Sequence, residues 1–600
     1  MSATGRSARM DARVWVPRLR VFRSVHLPLR LPLPALALTA LTLVGAALRF
    51  HSLAGVPQNP YYDAAVRSMA LSWHNFFYAA FEPSARIAVD KPPVDLWLQV
   101  ASVKLLGFNS LALKLPEALA GTAAVPLLYD VVRRVFGRSA GLASAAALAV
   151  LPVTVLTSRS DTMDTVMMLC LVGAAWLVVR SAQTGRARFL YLAAAVMGIA
   201  FNVKLVEALL PLPALAVLYV LATPASRRAR AERLLVATLV FAAVSISWVT
   251  AVSVAPSDAK PYPVGSTNGS VWNSVFVFDG VDRLGLTGRN PGPAGVPAGP
   301  SATRLIRRDP PPLGRWLGSE LVPAVVLGGL ALLMGVRGWR QRAPETRLQS
   351  AFALSIALWL VAGIVAFSHV QQLHVRYLEA MTPAIAAALG IGIAAGRRSV
   401  ALAVAALGVA AYALYLAKGE PPLEAIVVVA GVGVLLTLAV RRTAPAVLAT
   451  ALAALALAVP AWAAVDLAGS HHTASAIGAR LTPSQAAVLD RYLRAHQGGA
   501  RYEAATVNIW EAGPLVSASG RPVLVLRNVD FKPLISTAEL RRDVRTHQLR
   551  YVLLGRDCGP TVTGRHLLTR CPPAARWARA HGREVFPGGR HLGLYRVLDG

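Results

Sequence analysis

SVALAVAALGVAAYALYL spans residues 399–416, AKGEPP follows at 417–422, and LEAIVVVAGVGVLLTLAV runs on to 440. The two long runs hold a single charged residue, Glu424, while Lys418 and Glu420 fall in the short connector. Apolar helices of this length suit a hydrocarbon layer of about 30 Å. The stretch reads as two membrane spans joined by a tight polar turn.

The same pattern recurs in both directions. Candidate spans lie near 32–50, 114–132, 139–157, 162–179, 189–203, 205–222, 234–254, 319–336, 350–368, 377–395, 399–416, 423–440 and 444–465, thirteen in all. The fifth and sixth, around Asn202 and Lys204, are short and read as a broken pair. Composition agrees, with 55% hydrophobic and 15% charged residues over 600. Soluble domains carry about 25% charge, so a soluble surface cannot be built here. The expected fold class is an all-α polytopic membrane protein of about 13 transmembrane helices with a small extracytoplasmic α/β domain at the C-terminus. The first run is too long, and too poorly followed by small residues, to be a cleaved leader.

The charge balance of 61 basic to 30 acidic residues, net +31, would suggest nucleic acid in a soluble chain. Here the basic residues sit in short clusters between apolar runs, without a nucleic-acid motif, so no nucleic-acid partner is expected. Only seven are lysines (91, 104, 114, 204, 260, 418 and 532). Their placement orients the chain instead. Residues 1–31 form a basic tail, with Arg6, Arg9, Arg13, Arg18, Arg20, Arg23 and Arg30 against one Asp11, expected in the cytoplasm. Alternate connections repeat the signal at Arg133-Arg134, Arg186/Arg188, Arg227-Arg228-Arg230, Arg337/Arg340/Arg342, Arg397-Arg398 and Arg441-Arg442. The transmembrane region is expected over 32–465, with long outer loops at 51–113 and 255–318, and an outer domain over 466–600.

Aromatic stretches in the first outer loop (Trp73, Phe76, Phe77, Tyr78, then Trp97) suggest helices lying on the membrane surface. The second loop is rich in Gly, Pro and Ser, especially at 285–300, and reads as a mobile loop. In the tail, Thr482-Pro483-Ser484-Gln485 is a helix start. Strands are expected at Arg501–Val507, Pro522–Leu526 and Tyr551–Leu554, with a helix near Thr537–Thr546. Cys558 and Cys571 fall on an oxidising side, where a bridge and two free thiols are equally allowed. Cys170 lies in an apolar run and reads as a packed hydrophobe.

Ionisable groups at membrane depth are costly and mark sites. They gather at the outer turns: Tyr61-Tyr62-Asp63 and Arg67; Asp90-Lys91-Pro92-Pro93; Arg159, Asp161 and Asp164; Asn202, Lys204 and Glu207; His369, Gln371, Gln372, His374, Arg376 and Tyr377. Each has a plain alternative: Asp90-Lys91 as a surface ion pair, Asp161 and Asp164 as helix-start carboxylates, His374 as a packed histidine, the tyrosines as an aromatic belt. Those alternatives would all have to hold on one side of the membrane only. Walker, HExxH and Cys/His metal spacings are absent.

The run Asn59-Pro60-Tyr61-Tyr62, Ala65-Val66-Arg67-Ser68-Met69, Ser72-Trp73-His74-Asn75-Phe76-Phe77 and Asp90-Lys91-Pro92-Pro93 resembles the bacterial GT-C glycosyltransferases, relatives of the protein O-mannosyltransferases and the lipid A aminoarabinose transferase. The YkcB-type branch has the same first-loop pattern and an outer C-terminal domain. Further matches are Arg159 with Asp164, Phe201-Asn202-Val203-Lys204, Gly265-Ser266-Thr267-Asn268, and His374 with Tyr377 before Pro383. The resemblance implies transfer of a sugar, mannose by family weight, from a polyprenyl-phosphate carrier to a glycan, lipid or protein acceptor on the outer face of the cell membrane. Membrane lipids are the other expected partners.

Under that reading a cation must stabilise the leaving phosphate, with Lys91 first and Arg159 and Lys204 assisting. A carboxylate must take the acceptor's proton. Where the wider superfamily presents an acidic residue before the aromatic pair, this chain reads Gln58-Asn59-Pro60, so Asp63 is the nearest replacement, with Asp164 and Asp90 as alternatives. Tyr61, Tyr62, His374 and Tyr377 are expected to contact substrate. Outer carboxylates could hold Mg²⁺ or Mn²⁺, although no ligand set is legible. A lipid or polysaccharide transporter and a non-catalytic cell-wall-binding protein are the rival readings. Transporters usually carry internal repeats, and none is evident between the halves here.

Overall fold

Peptide groups in lipid have no water to bond, so apolar runs of this length must close their hydrogen bonds internally as helices. The computed structural model describes residues 33–283, 300–308, 314–337, 344–370, 373–396, 400–440, 444–472, 474, 480–559 and 563–598. Among these, eleven helices are long and apolar enough to cross a membrane. A bent pair, Arg138–Val150 and Pro152–Ser158 at 56°, adds a twelfth, and the shorter apolar helix Leu212–Ala222 matches the remaining run. The chain is therefore a multi-pass membrane protein. The basic tail 1–31, most of the Gly/Pro-rich stretch, Gln371-Gln372, Arg340/Arg342, Arg397-Arg398 and Arg441-Arg442 lie outside the described residues.

Two breaks bring polar groups to one end of the bundle. Pro152 lacks an N–H, so the helix stops at Val150 and restarts after an extended Leu151. The restarted helix delivers Ser158 to Asp161 to a buried turn before helix Asp164–Thr184. The second break follows Lys204, where Leu205 takes φ 49°. A non-glycine residue in that region is uncommon and costs energy that the surroundings must offset. Asn202 anchors the break by donating to the carbonyls of Gly198 and Val244, both at 2.9 Å.

The first long connecting segment holds more than the helices expected at Trp73–Tyr78 and around Trp97, which are present as Trp73–Phe77 and Val94–Leu106. Its helix Pro60–Met69 starts on Asn59, whose side chain accepts from the Tyr61 N–H at 3.1 Å. That helix is buried along most of its length, because helix Ile509–Ser519 of the tail lies over it. Gly513 permits the approach: a Cβ there would stand 2.8 Å from the Pro60 carbonyl oxygen. Only the next short helix, Trp73–Phe77, leaves its leading tryptophan exposed.

The second outer loop is not all loop. Strands β1 (Ile87–Ala88) and β2 (Tyr262–Pro263) pair in parallel, with Ile87 opposite Tyr262, and zip the two outer segments together. Beyond them, Asn273–Val281 winds as a wide helix in which the Asp282 N–H reaches the Val277 carbonyl five residues back. Apolar Val271, Val275 and Phe278 bury one face of it, which the Gly/Pro content of the wider segment obscures.

In the tail, β3 (Ala504–Thr506), β4 (Val523–Val525), β5 (Tyr551–Leu553), β6 (Gly582–Val585) and β7 (Leu594–Val597) form one sheet in the order β4-β3-β5-β7-β6. The first three are parallel, and β7 runs antiparallel to both neighbours. The capping box at Thr482 and Gln485 is present, and helix Thr537–Arg545 falls where expected. Cys558 and Cys571 are bridged. Strands β6 and β7 and helices Ile509–Ser519 and Pro573–His581 go beyond the elements read from sequence. The tail is tied to the outer loops by Arg67 to the Ser517 carbonyl at 2.5 Å, Arg86 to Glu539 at 2.5 Å, Asn528 to the Ser266 carbonyl at 2.9 Å, and Lys532 to the Thr267 carbonyl at 2.8 Å.

Candidate active site

The break after Lys204, the zipped loops and the end of helix Pro344–His369 line a cavity of about 360 Å³. Its polar lining is Tyr62, Lys91, Lys204, Glu207, Asp279, Arg283, Arg376 and Tyr377; its apolar lining is Leu205, Val206, Leu209, Leu210, Pro213, Ala362, Ala366, Phe367 and Val370. Ligand cavities commonly combine apolar walls with a few placed polar groups. Here several cations share the cavity with many apolar side chains, which suits a molecule with a charged head and a greasy tail.

The zipper positions the polar wall. Directly after β1, the Asp90 carbonyl accepts from the Ser274 hydroxyl at 2.8 Å. The Asp90 carboxylate takes the Tyr61 hydroxyl at 2.9 Å and lies 3.5 Å from the Lys91 ammonium and 4.0 Å from Arg283. Arg283 also meets Asp279 at 2.9 Å and donates to the Tyr377 hydroxyl at 3.2 Å. Lys91 sits 5.7 Å from the Tyr62 ring centre, and Lys204 and Arg376 sit 5.1 and 5.7 Å from that of Tyr377. Lys204 is ion-paired with the buried Asp164. Aromatic faces hold cations, so the rings support a cluster of positive heads.

Burial works against every charge here, and neighbours decide the outcome. Burial alone would raise the Asp90 carboxyl, but Lys91 and Arg283 reverse this and hold it below the usual carboxylate range. Burial, with Asp90 next, pushes Asp279 up to about 7 despite Lys91 and Arg283. For Lys91, burial is outweighed by Asp279 and Asp90, which raise it. Burial and then Arg376, Arg283, Lys204 and Lys91 force His374 down to about 2, so the half-buried ring is neutral against Tyr377.

Of the residues picked out from sequence, Tyr62, Lys91, Lys204 and Tyr377 line the cavity, with Tyr61, Asp90 and Asp164 directly behind them. Asp63 is elsewhere: fully buried, it faces Asp161 and Lys114, and burial with the Asp161 charge raises it well above the usual range. Arg159 is elsewhere too. Its guanidinium binds the carbonyls of Leu48 and His51 at the end of the first span and Ala468 at the end of the last. Asp279 and Arg283 escaped the sequence reading; their signal was an acid and a base four apart beside apolar Val275 and Phe278. Among the described residues, no group of three or more His, Cys, Asp or Glu side chains is arranged to hold a metal ion.

Comparison with known proteins agrees with this architecture. Residues 90–249 match the model of the family described as "Dolichyl-phosphate-mannose-protein mannosyltransferase", and residues 489–581 match "Putative mannosyltransferase YkcB-like, C-terminal". The chain is 26% identical over 653 residues to the Bacillus subtilis protein named "Putative mannosyltransferase YycA", taking in 92% of this chain and 94% of that one. It is 37% identical over 234 residues to "Putative mannosyltransferase YkcB" of the same organism, which takes in 39% of this chain and 32% of that one. Its fold is similar to ArnT from Cupriavidus metallidurans bound to undecaprenyl phosphate, with TM-score 0.50 and 17% identity over 82% of this chain and 85% of that one. It is also similar to the oligosaccharyltransferase AglB from Archaeoglobus fulgidus, with TM-score 0.50 and 12% identity over 86% and 69%. Fold and kinship together define a membrane glycosyltransferase of the GT-C type. Within that class the chain is similar to the putative mannosyltransferase YycA over most of its length and to YkcB over part of it, and its tail matches the YkcB-like C-terminal model.

Proposed function

We propose that this protein transfers a sugar, mannose or one similar, from a polyprenyl-phosphate carrier to a glycan, lipid or protein acceptor on the outer face of the cell membrane. The observation that carries the proposal is the cavity whose lining combines four cationic side chains, Lys91, Lys204, Arg283 and Arg376, with a larger set of apolar ones. The phosphate head lies against Lys91 and Arg283, with Lys204 and Arg376 flanking, and the isoprenoid leaves along Leu205, Leu209, Leu210 and Phe367. Positive groups fixed where charge develops on the leaving phosphate are worth most in a site shielded from water. The basic tail stays in the cytoplasm and the C-terminal domain faces outside.

The acceptor hydroxyl attacks the anomeric carbon and gives its proton to a carboxylate. Two observations favour Asp90 over Asp63 as that base: Asp90 is held ionised beside the cavity, whereas Asp63 is pushed toward its neutral form in a separate buried cluster. Asp164 is committed to Lys204 and supports its position. Arg159 is left out of the phosphate site because both of its Nη groups donate to helix-end carbonyls.

The test is transfer by the purified, reconstituted protein from radiolabelled polyprenyl-phosphate mannose. Release or transfer of label that depends on Lys91 is the expected result. Movement of the intact carrier between leaflets without cleavage would favour a transporter, and neither activity would leave a binding protein.

A further inference from the structure

Asp279 stands on the cavity wall with an unusual division of labour between its two oxygens. One accepts from Arg283 through Nε at 3.1 Å and Nη2 at 2.9 Å. The other, Oδ2, is buried and has no hydrogen-bond partner among the described residues. The groups facing this carboxylate are Asp90 and Lys91 from the first outer loop, Arg283 on its own helix, and Glu207 from the break after Lys204. A buried oxygen without a donor costs energy that a proton relieves.

The arrival of a phosphate makes that proton more valuable, given the reading of the cavity above, on which this inference rests. As an anion, Asp279 would repel the phosphate and hold Arg283 away from it. Protonated, it loosens Arg283, lowers the negative charge of the wall and offers an O–H donor.

We propose that Asp279 is the acid of the transfer: it takes up a proton as the phosphate-bearing donor binds and passes it to the departing phosphate oxygen. The bond between the anomeric carbon and that oxygen breaks, and its electron pair goes to the oxygen. The oxygen takes the Asp279 proton and leaves as monoprotonated polyprenyl phosphate. The anomeric carbon bonds the acceptor oxygen, whose proton goes to the base, and Asp279 reloads from water. Its titration near neutrality, set by burial and then Asp90, makes the proton available at pH 7 and scarce above it.

The experiment uses the full-length protein in nanodiscs, with farnesyl monophosphate as probe. Calorimetry at pH 8, where the free probe is a dianion (second pKa about 6), is run in two buffers of different ionisation heat. The parent is expected to take up about one proton per probe bound, Asp279→Asn almost none, and Asp279→Glu to restore the uptake. In turnover, Asp279→Asn is expected to lose about 10²–10⁴-fold in kcat and to lose the fall in kcat/KM above pH 7 that the parent shows, since kcat/KM reports the free site. Parent-like proton uptake or an unchanged alkaline limb in Asp279→Asn overturns the proposal. A folded Asp279→Asn that no longer binds the probe, or an Asp279→Glu that restores nothing, overturns it too, leaving Asp279 as a mere support for Arg283. Failure of the parent itself to bind farnesyl monophosphate would instead remove the cavity reading as a whole.

Discussion

Lys91 and Asp63 are contrasting residues: a cation on the cavity wall and a carboxyl sealed away from it. Lys91→Met keeps the stem and removes the charge, so transfer should fall about 10²–10³-fold, the scale seen when one transition-state donor is lost. The thermal midpoint should hardly move, and a variant that retained activity would reduce Asp90-Lys91 to a structural ion pair. Asp90→Asn should cost about 10²–10⁴-fold. Asp63→Asn replaces a carboxyl already biased toward neutrality and should stay within a few-fold of the parent; a loss as large as that of Asp90→Asn would move the base to Asp63. The sequence disclosed Tyr61, Tyr62, Asp90 and Lys91 because they are close in the chain and flanked by turn residues. It could not disclose where a long side chain turns, and Arg159 looked like a phosphate ligand because the carbonyls it serves belong to helices more than a hundred residues away on either side.

At the level of elements, the spans were legible because lipid enforces a simple pattern, about twenty apolar residues between charged turns. The break after Lys204 announced itself through the polar Asn202 and Lys204, whereas the one at Pro152 went unread inside the single span expected over 139–157. The wide helix Asn273–Val281 was not legible, since its apolar face is short and lies in a Gly- and Pro-rich context. Its placement depends on Gly265: a Cβ there would lie 2.4 Å from the Phe278 ring. Gly265→Ala should therefore push away the segment that carries Asp279 and Arg283. A displacement near 1 Å in a catalytic group can cost about 100-fold, so kcat should drop by one to two orders of magnitude while expression and span insertion are preserved. Unchanged kcat would mean that Phe278 yields without moving the helix.

Across the whole molecule, the arginine clusters and the thirteen spans expected from the sequence make one prediction. A tag after Gly600 should be reached by a membrane-impermeant reagent in intact cells, and a tag before Arg6 only after permeabilisation. Both termini on one side would overturn the orientation and the outer site with it. The tail was legible as an α/β unit from its alternating strands and helices. Its docking onto the first outer loop was not, because contacts such as Gly513 against Pro60 join positions some 450 residues apart and leave no local periodicity.

That docking has a consequence for how the protein is made. The loop leading to the wide helix is held by Asn528 and Lys532, which bind the carbonyls of Ser266 and Thr267. These residues leave the ribosome long after the spans that surround the cavity. A nascent chain with every helix inserted still lacks the fastening of its own substrate wall. On the proposed function, competence to engage the carrier therefore comes last in biosynthesis, when the tail has folded back on the loop at Ser266 and Thr267.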